Sequence, residues 1–201
     1  MEKGKLITVE GVDGAGKSTQ MAVIDQALRE RGIDLVRTRE PGGPETAEKI
    51  RELLLNEPMS PKCELMLMFA AREENLDKII RPALAKGQWV LCDRFTDASY
   101  AYQGYGRGRS IEEIRALENF VHPDLKPDLT VLFDVPTEVA AARLSRKLDR
   151  FEKESQDFHR RVREGYLRMA KAEPERFYVV DGTQTPEQIS AQLREVFAQW
   201  K

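Results

Sequence analysis

The sequence predicts an α/β fold, a five-stranded parallel sheet with helices on both faces. Three observations predict it. Short apolar runs alternate along the chain with longer amphipathic stretches, which is the pattern of helical crossovers covering both sides of a parallel sheet. Residues 11–18 read Gly-Val-Asp-Gly-Ala-Gly-Lys-Ser between the first apolar run and a helical pattern, the strand–turn–helix setting of a G-x-x-x-x-G-K-[ST] P-loop. Charged residues then fall just past the runs, with Asp13 after the first, Arg39-Glu40 after the second and Asp93-Arg94 after the third. Open α/β sheets bind their ligands beyond those carboxyl ends.

Each element follows from spacing. Leu6–Glu10 is the first strand, and Ser18–Arg31 is a helix ended by Gly32. Asp34–Thr38 is the second strand. Glu45–Asn56 is a helix with Ile50, Leu53 and Leu54 on one side. Lys62–Ala85 reads as one long helix bent near Pro82, because proline removes an internal hydrogen bond. Trp89–Cys92 is an apolar, buried strand, and Ile111–Phe120 is a helix. Asp128–Val135 is a strand, Thr137–Leu144 and Lys153–Ala172 are helices, and Phe177–Asp181 is the last strand. Pro186–Trp200 closes the chain as a helix with proline at its start. Gly104–Gly108 and the basic stretch Arg143–Arg150 read as inserts. There is no internal repeat, low-complexity segment or linker, so residues 1–201 form a single domain with a flexible lid at about 143–153.

Composition narrows the function. The 201 residues are 41% apolar and 33% charged, with 32 Lys+Arg against 34 Asp+Glu and a net charge of −2. Such a balance, without long runs of one sign, argues against a nucleic-acid partner or a membrane patch. A small anion met by a few arginines fits better. Cys63 and Cys92 are the two cysteines, and they read as reduced, buried thiols of an intracellular, cytoplasmic protein. The first 30 residues lack a signal-peptide pattern, and no run of about 20 apolar residues exists to span a bilayer.

The P-loop spacing implies a nucleoside triphosphate. Gly11, Gly14 and Gly16 allow backbone angles that a Cβ would block. Val12, Asp13, Ala15 and Thr19 complete the cradle, whose N–H groups meet phosphate at a helix N-terminus. Lys17 reaches the outer phosphates, and the Ser18 hydroxyl can ligate Mg²⁺. Asp93, at a strand end, can hold that Mg²⁺ through water or can cap the next helix. Arg94 suits a second phosphate as a fixed planar fork, and Arg39 and Arg51 are candidates to join it. Arg143, Arg146, Lys147 and Arg150 are either a solvated face or a flap that supplies transition-state charge. No covalent nucleophile stands out. Neither His122 nor His159 is given a catalytic role.

Taken together, these residues resemble the thymidylate kinase family, and specifically its bacterial branch. The motifs that carry the resemblance are Gly11–Ser18, Thr38-Arg39-Glu40-Pro41-Gly42-Gly43, Cys92-Asp93-Arg94-Phe95, Ala101-Tyr102-Gln103-Gly104, Gly106-Arg107-Gly108, Pro127-Asp128-Leu129-Thr130 and Leu148-Asp149-Arg150. The resemblance implies a nucleoside-monophosphate kinase that transfers the γ-phosphoryl group of ATP to dTMP with Mg²⁺, as a homodimer. It places Asp13 near the sugar 3′-OH and the metal, and Arg51 and Arg94 on the monophosphate. Glu40 falls near the metal and monophosphate, and Arg72 on thymine. Ser99 and Gln103 line the base pocket, while Tyr102 stands where a ribose 2′-OH would project. Gly14 leaves the loop without an arginine, so Arg146 and Arg150 of the lid would act in catalysis and Arg143 would pack near adenine.

One position departs from the family. The aromatic residue that usually stacks on thymine lies four before the base-reading arginine; here that position is Met68, and Phe69 follows it. Either Phe69 turns onto the base, or Met68 packs it through sulfur and Phe69 is core. The same chemistry on another pyrimidine nucleotide, or a nucleotide-dependent switch, is the alternative reading of these residues.

Overall fold

The computed structural model describes residues 4–144 and 148–200. Five strands form one sheet: β1 (Leu6–Glu10), β2 (Leu35–Arg39), β3 (Trp89–Asp93), β4 (Leu129–Asp134) and β5 (Phe177–Asp181). Their order is β2-β3-β1-β4-β5, and every pairing is parallel. The helices are α1 (Lys17–Glu30), α2 (Glu45–Asn56), α3 (Pro61–Asn75), α4 (Arg81–Ala85), α5 (Thr96–Ser99), α6 (Ile111–Val121), α7 (Thr137–Ala142), α8 (Gln156–Ala172) and α9 (Pro186–Gln199).

Strand alternation sorts the core into two faces. Leu6, Val90 and Cys92 pack with Leu76, Ile80 and Ala83. Ile7, Val9 and Leu91 join Met21, Ile24 and Leu28 of α1 and Leu193 and Phe197 of α9. The sheet is therefore covered on both sides. No described helix is long and apolar enough to cross a membrane.

Most expected bounds hold within a few residues, and β1 and β5 match to the residue. Three readings change. The helix read over Lys62–Ala85 is interrupted by a wider π-type turn, Leu76–Ile80, directly ahead of Pro82. Proline cannot donate to the preceding turn. Gly104–Gly106 is no loop insert, because α5 continues as a π-type helix over Tyr100–Gly106. A glycine on each element lets α8 approach: a Cβ on Gly106 would lie 2.7 Å from Phe158, and one on Gly165 of α8 would lie 2.5 Å from Tyr105. Finally, Cys92 is buried, but Cys63 is partly exposed at the start of α3.

Candidate active site

The order of the strands reverses beside β1, so the connections after β1 and β3 diverge and leave a crevice. The P-loop lies on one side of it. Gly14 takes φ +82, and a Cβ there would lie 2.1 Å from the Ala140 carbonyl oxygen. Gly16 caps α1 at φ 90 with no side chain on the helix amides. A Cβ there would meet nothing within 4 Å, so the exposed amides face open space suited to phosphate. Lys17 is buried, and its Nζ donates to the Gly11 and Val12 carbonyls at 2.8 and 3.0 Å. Burial, and then the Arg94 charge, lower its pKa. Ser18 and Asp93 line one groove beside the loop. Asp93 Oδ1 is buried without a partner, a free hard oxygen that fits a Mg²⁺ shell.

Arg94 opens the opposite wall. Its φ of 67 is left-handed, a conformation that costs a non-glycine residue energy and persists only when its surroundings hold it. Here the Arg94 amide donates to Val9 O at 3.0 Å, the next amide, of Phe95, donates to Glu10 Oε1 at 2.7 Å, and Cys92 Sγ donates to the Arg94 carbonyl at 2.9 Å. The bend aims the guanidinium at the P-loop. Nη2 donates to Asp13 Oδ1 at 2.8 Å and to Tyr102 Oη at 3.1 Å, and the Tyr102 hydroxyl donates to Asp13 Oδ2 at 3.2 Å. Arg94 Nε has no partner. Burial pushes the Asp13 carboxyl up, but Arg94 and then Lys17 outweigh it and hold its pKa well below the carboxylate range.

A cavity runs from this cluster to Arg72. Asp13, Arg51, Arg94 and Tyr102 line it together with Met68, Arg72, Phe95, Ser99 and Gln103. Arg51 anchors through Nη1 on the Pro41 carbonyl at 2.7 Å. Arg72 is 2% exposed. Its Nε donates to Glu40 Oε2 at 2.7 Å, and its Nη2 to the Phe95 carbonyl at 3.1 Å and to Ser99 Oγ at 3.0 Å. Nη1 is buried without a partner. This is a charged donor fixed on three sides with one nitrogen free.

Several expectations are corrected. Phe69 does not line the cavity. It is buried with Leu65 and Ile114, between α3 and α6, beneath the Arg72 guanidinium at 4.5 Å. Met68, one helical turn before Arg72, faces the cavity instead. Glu40 is not free for a metal, because Asn75 Nδ2 donates to its Oε1 at 3.3 Å while Arg72 holds Oε2. Arg39 pairs with Glu48 at 2.7 Å on the surface, away from the cavity. Arg150, expected at the phosphates, donates instead to the Leu54 carbonyl and Glu64. Arg143 donates to the Gly182 carbonyl at 3.0 Å, beside the P-loop. Arg146 lies outside the described residues, as does Lys147.

Sequence reasoning missed Phe95, Glu10 and Glu64. Phe95 walls the cavity and stacks against His122 with centroids 4.9 Å apart. Burial lowers the His122 pKa to about 4, so this ring stays neutral. Glu10 accepts from the Phe95 amide and from Tyr166 Oη at 2.7 Å. Burial, reinforced by Asp97, raises its pKa to about 8. The available signal was an acidic residue closing the apolar run Leu6–Val9 directly before the P-loop.

Comparison with known proteins agrees with this geometry. The family model described as Thymidylate kinase matches residues 9–193. The chain is 51% identical over 201 residues to the thymidylate kinase of Methylobacillus flagellatus, covering 99% of each. It is 54% identical over 203 residues to that of Bordetella pertussis, covering 98% of each. Among solved structures it resembles thymidylate kinase from Ehrlichia chaffeensis, with a TM-score of 0.78, 33% identity, and 96% and 98% of the two chains covered. With the match running over nearly its whole length, the chain belongs to the thymidylate kinase family.

Proposed function

We infer that this chain is an ATP:dTMP phosphotransferase producing dTDP. The observation that carries this is one cavity lined both by Arg72, whose Nη1 is buried without a partner, and by Arg94, Arg51 and Asp13 of the P-loop. A pyrimidine carbonyl meets the fixed donor, and the monophosphate meets the two arginines. Met68 and Phe95 sandwich the base, and Ser99 and Gln103 complete its pocket. Tyr102 walls the sugar and disfavours a 2′-OH. Asp13 holds Arg94 in register and meets the 3′-OH.

ATP lies with its phosphates on Gly11–Thr19 and its adenine toward Arg143. Mg²⁺ would be held by Ser18 and Asp93, where it supplies positive charge on the phosphates. Lys17 moves from the loop carbonyls to the transferred phosphoryl oxygens. Catalysis is positioning plus electrostatics, without a covalent intermediate. Arg146, in a lid at about 143–153 of a single domain, completes the charge. We place the protein in the cytoplasm, with no nucleic-acid or membrane partner. It acts as a homodimer; exposed Leu53, Met66 and Phe120, on α2, α3 and α6, offer the apolar surface.

The test is turnover with ATP and Mg²⁺ across dTMP, dUMP, dCMP and thymidine. dTMP is expected to lead by at least tenfold in kcat/KM. Equal ADP release with and without dTMP would overturn the reading.

A further inference from the structure

We propose that Glu64 and Arg150 form a latch that seats the wall of the nucleotide pocket, and that Arg150 is a positioning residue rather than a donor of transition-state charge. The proposal rests on the dTMP kinase reading for its kinetic arm alone.

The geometry is an alternation. Asp149 and Phe151 both line the dTMP cavity. Arg150, between them, turns to the other side and is pinned there. Its amide donates to the Leu55 carbonyl at 3.2 Å and its Nε to the Leu54 carbonyl at 2.8 Å. Both carbonyls belong to the last turn of α2, which has no basic residue of its own. That turn leaves acceptors unsatisfied and carries partial negative charge, so a guanidinium from elsewhere completes it. Nη1 then donates to Glu64 Oε2 at 2.7 Å.

Glu64 is 1% exposed, and several groups converge on it. Gln103 Nε2 donates to Oε1 at 2.8 Å, and Arg107 donates to both oxygens at 3.3 and 3.2 Å. Arg107 also donates to Glu154 at 2.5 Å, within the same segment as Arg150. One buried carboxylate therefore ties a base-pocket residue, Gln103, to the strip that carries Asp149 and Phe151. It also sits one turn before Met68 and two before Arg72 on α3, so the latch and the base site share a rigid element. A carboxylate this buried needs its cations; each partner is held because the others are.

The alternative is that Arg150 is parked on Glu64 and swings to the phosphates during turnover. The two readings separate on the kcat of Arg150→Met and on the dTMP KM of Glu64→Gln. A latch requires Glu64→Gln and Arg150→Met each to raise the dTMP KM about tenfold, the scale of one lost charged hydrogen bond. The double variant should be no worse than either single one, and kcat at saturating substrates should stay within about threefold. A parked charge donor instead requires Arg150→Met to cut kcat a hundredfold or more, with Glu64→Gln leaving kcat unchanged or higher. A second arm needs no substrate. Tryptic cleavage after Lys153 should accelerate several-fold in either single variant, provided thermal midpoints show that the proteins remain folded. Unchanged cleavage and an unchanged dTMP KM, or a collapse of kcat on losing Arg150 alone, would overturn the latch. Wild-type protein that fails to turn over dTMP would count against the functional reading, while the cleavage arm still decides the latch.

Discussion

Arg72 carries two separable tasks, and replacing it with methionine should reveal both. Its guanidinium is buried against the buried Glu40 carboxylate, with an N–O distance of 2.7 Å. Arg72→Met leaves Glu40 only Asn75, at 3.3 Å. Breaking a buried pair from one side costs about 3–5 kcal/mol. Replacing both partners removes the stranded charge, so Arg72→Met/Glu40→Gln should recover most of that loss. The stability loss should also depend on pH. Burial pushes the Glu40 carboxyl up even with Arg72 beside it. Without Arg72 the carboxyl takes a proton more readily still. The cost is therefore largest at pH 7–8 and shrinks as pH falls toward the ordinary carboxylate value of about 4.3. Binding behaves differently, because both variants lose the free Nη1 donor. A hydrogen bond from a charged group contributes about 1.5–3 kcal/mol, or roughly 10- to 150-fold in affinity. Urea unfolding at pH 5 and pH 8, with calorimetric titration of dTMP and of ATP, measures every term. ATP affinity should hold within about twofold. If Arg72→Met lost stability yet kept dTMP affinity within threefold, Arg72 would be a structural ion pair and nothing more.

Two further outcomes are expected. Lys17→Ala should lower kcat by about 10²–10³-fold or more with little change in unfolding free energy, since its bonds go to loop carbonyls and not to the core; a loss below tenfold in folded protein would contradict its placement. Glu10, with its pKa raised to about 8 by burial and then by Asp97, stabilises the fold fully below its unfolded value near 4.5 and progressively less as pH rises to 8, at up to about 1.4 kcal/mol per pH unit. Glu10→Gln should flatten that slope in urea titrations at pH 5, 6.5 and 8, and equal slopes for the two proteins would refute a neutral Glu10 in the fold.

What was legible in the sequence was what depends on neighbours in the chain. β1 and β5 stand out as short apolar runs between turn residues, and the P-loop is a local spacing. The helical stretch after Arg94 was hidden because Gly104 and Gly106 read as loop composition. Gly106 makes room for Phe158 and Val162, far along the chain on α8, and Gly104 for Ile111 and Ile114 of α6. Helical spacing set Met68 and Phe69 as neighbours on α3, and only the position of α6 decided which of them faces the cavity. The charged residues make the sharpest case. Arg39, Arg72, Arg94 and Arg150 are chemically identical in the sequence, each a free cation near a site. The fold gives Arg39 to Glu48 and Arg150 to Glu64. Arg72 is fixed through Nε and Nη2 and Arg94 through Nη2, and each keeps a buried nitrogen without a partner, as Arg150 does at its own Nη2. What sets Arg72 and Arg94 apart is that they line the cavity and Arg150 does not. Binding requires that unpartnered nitrogen, because an arginine whose donors are all satisfied gains nothing from a substrate, and one with none fixed loses entropy in meeting it. The acceptors that do the fixing, Glu40, Asp13 and the Phe95 carbonyl, come from three separate segments, so this property exists only once the sheet has brought them together.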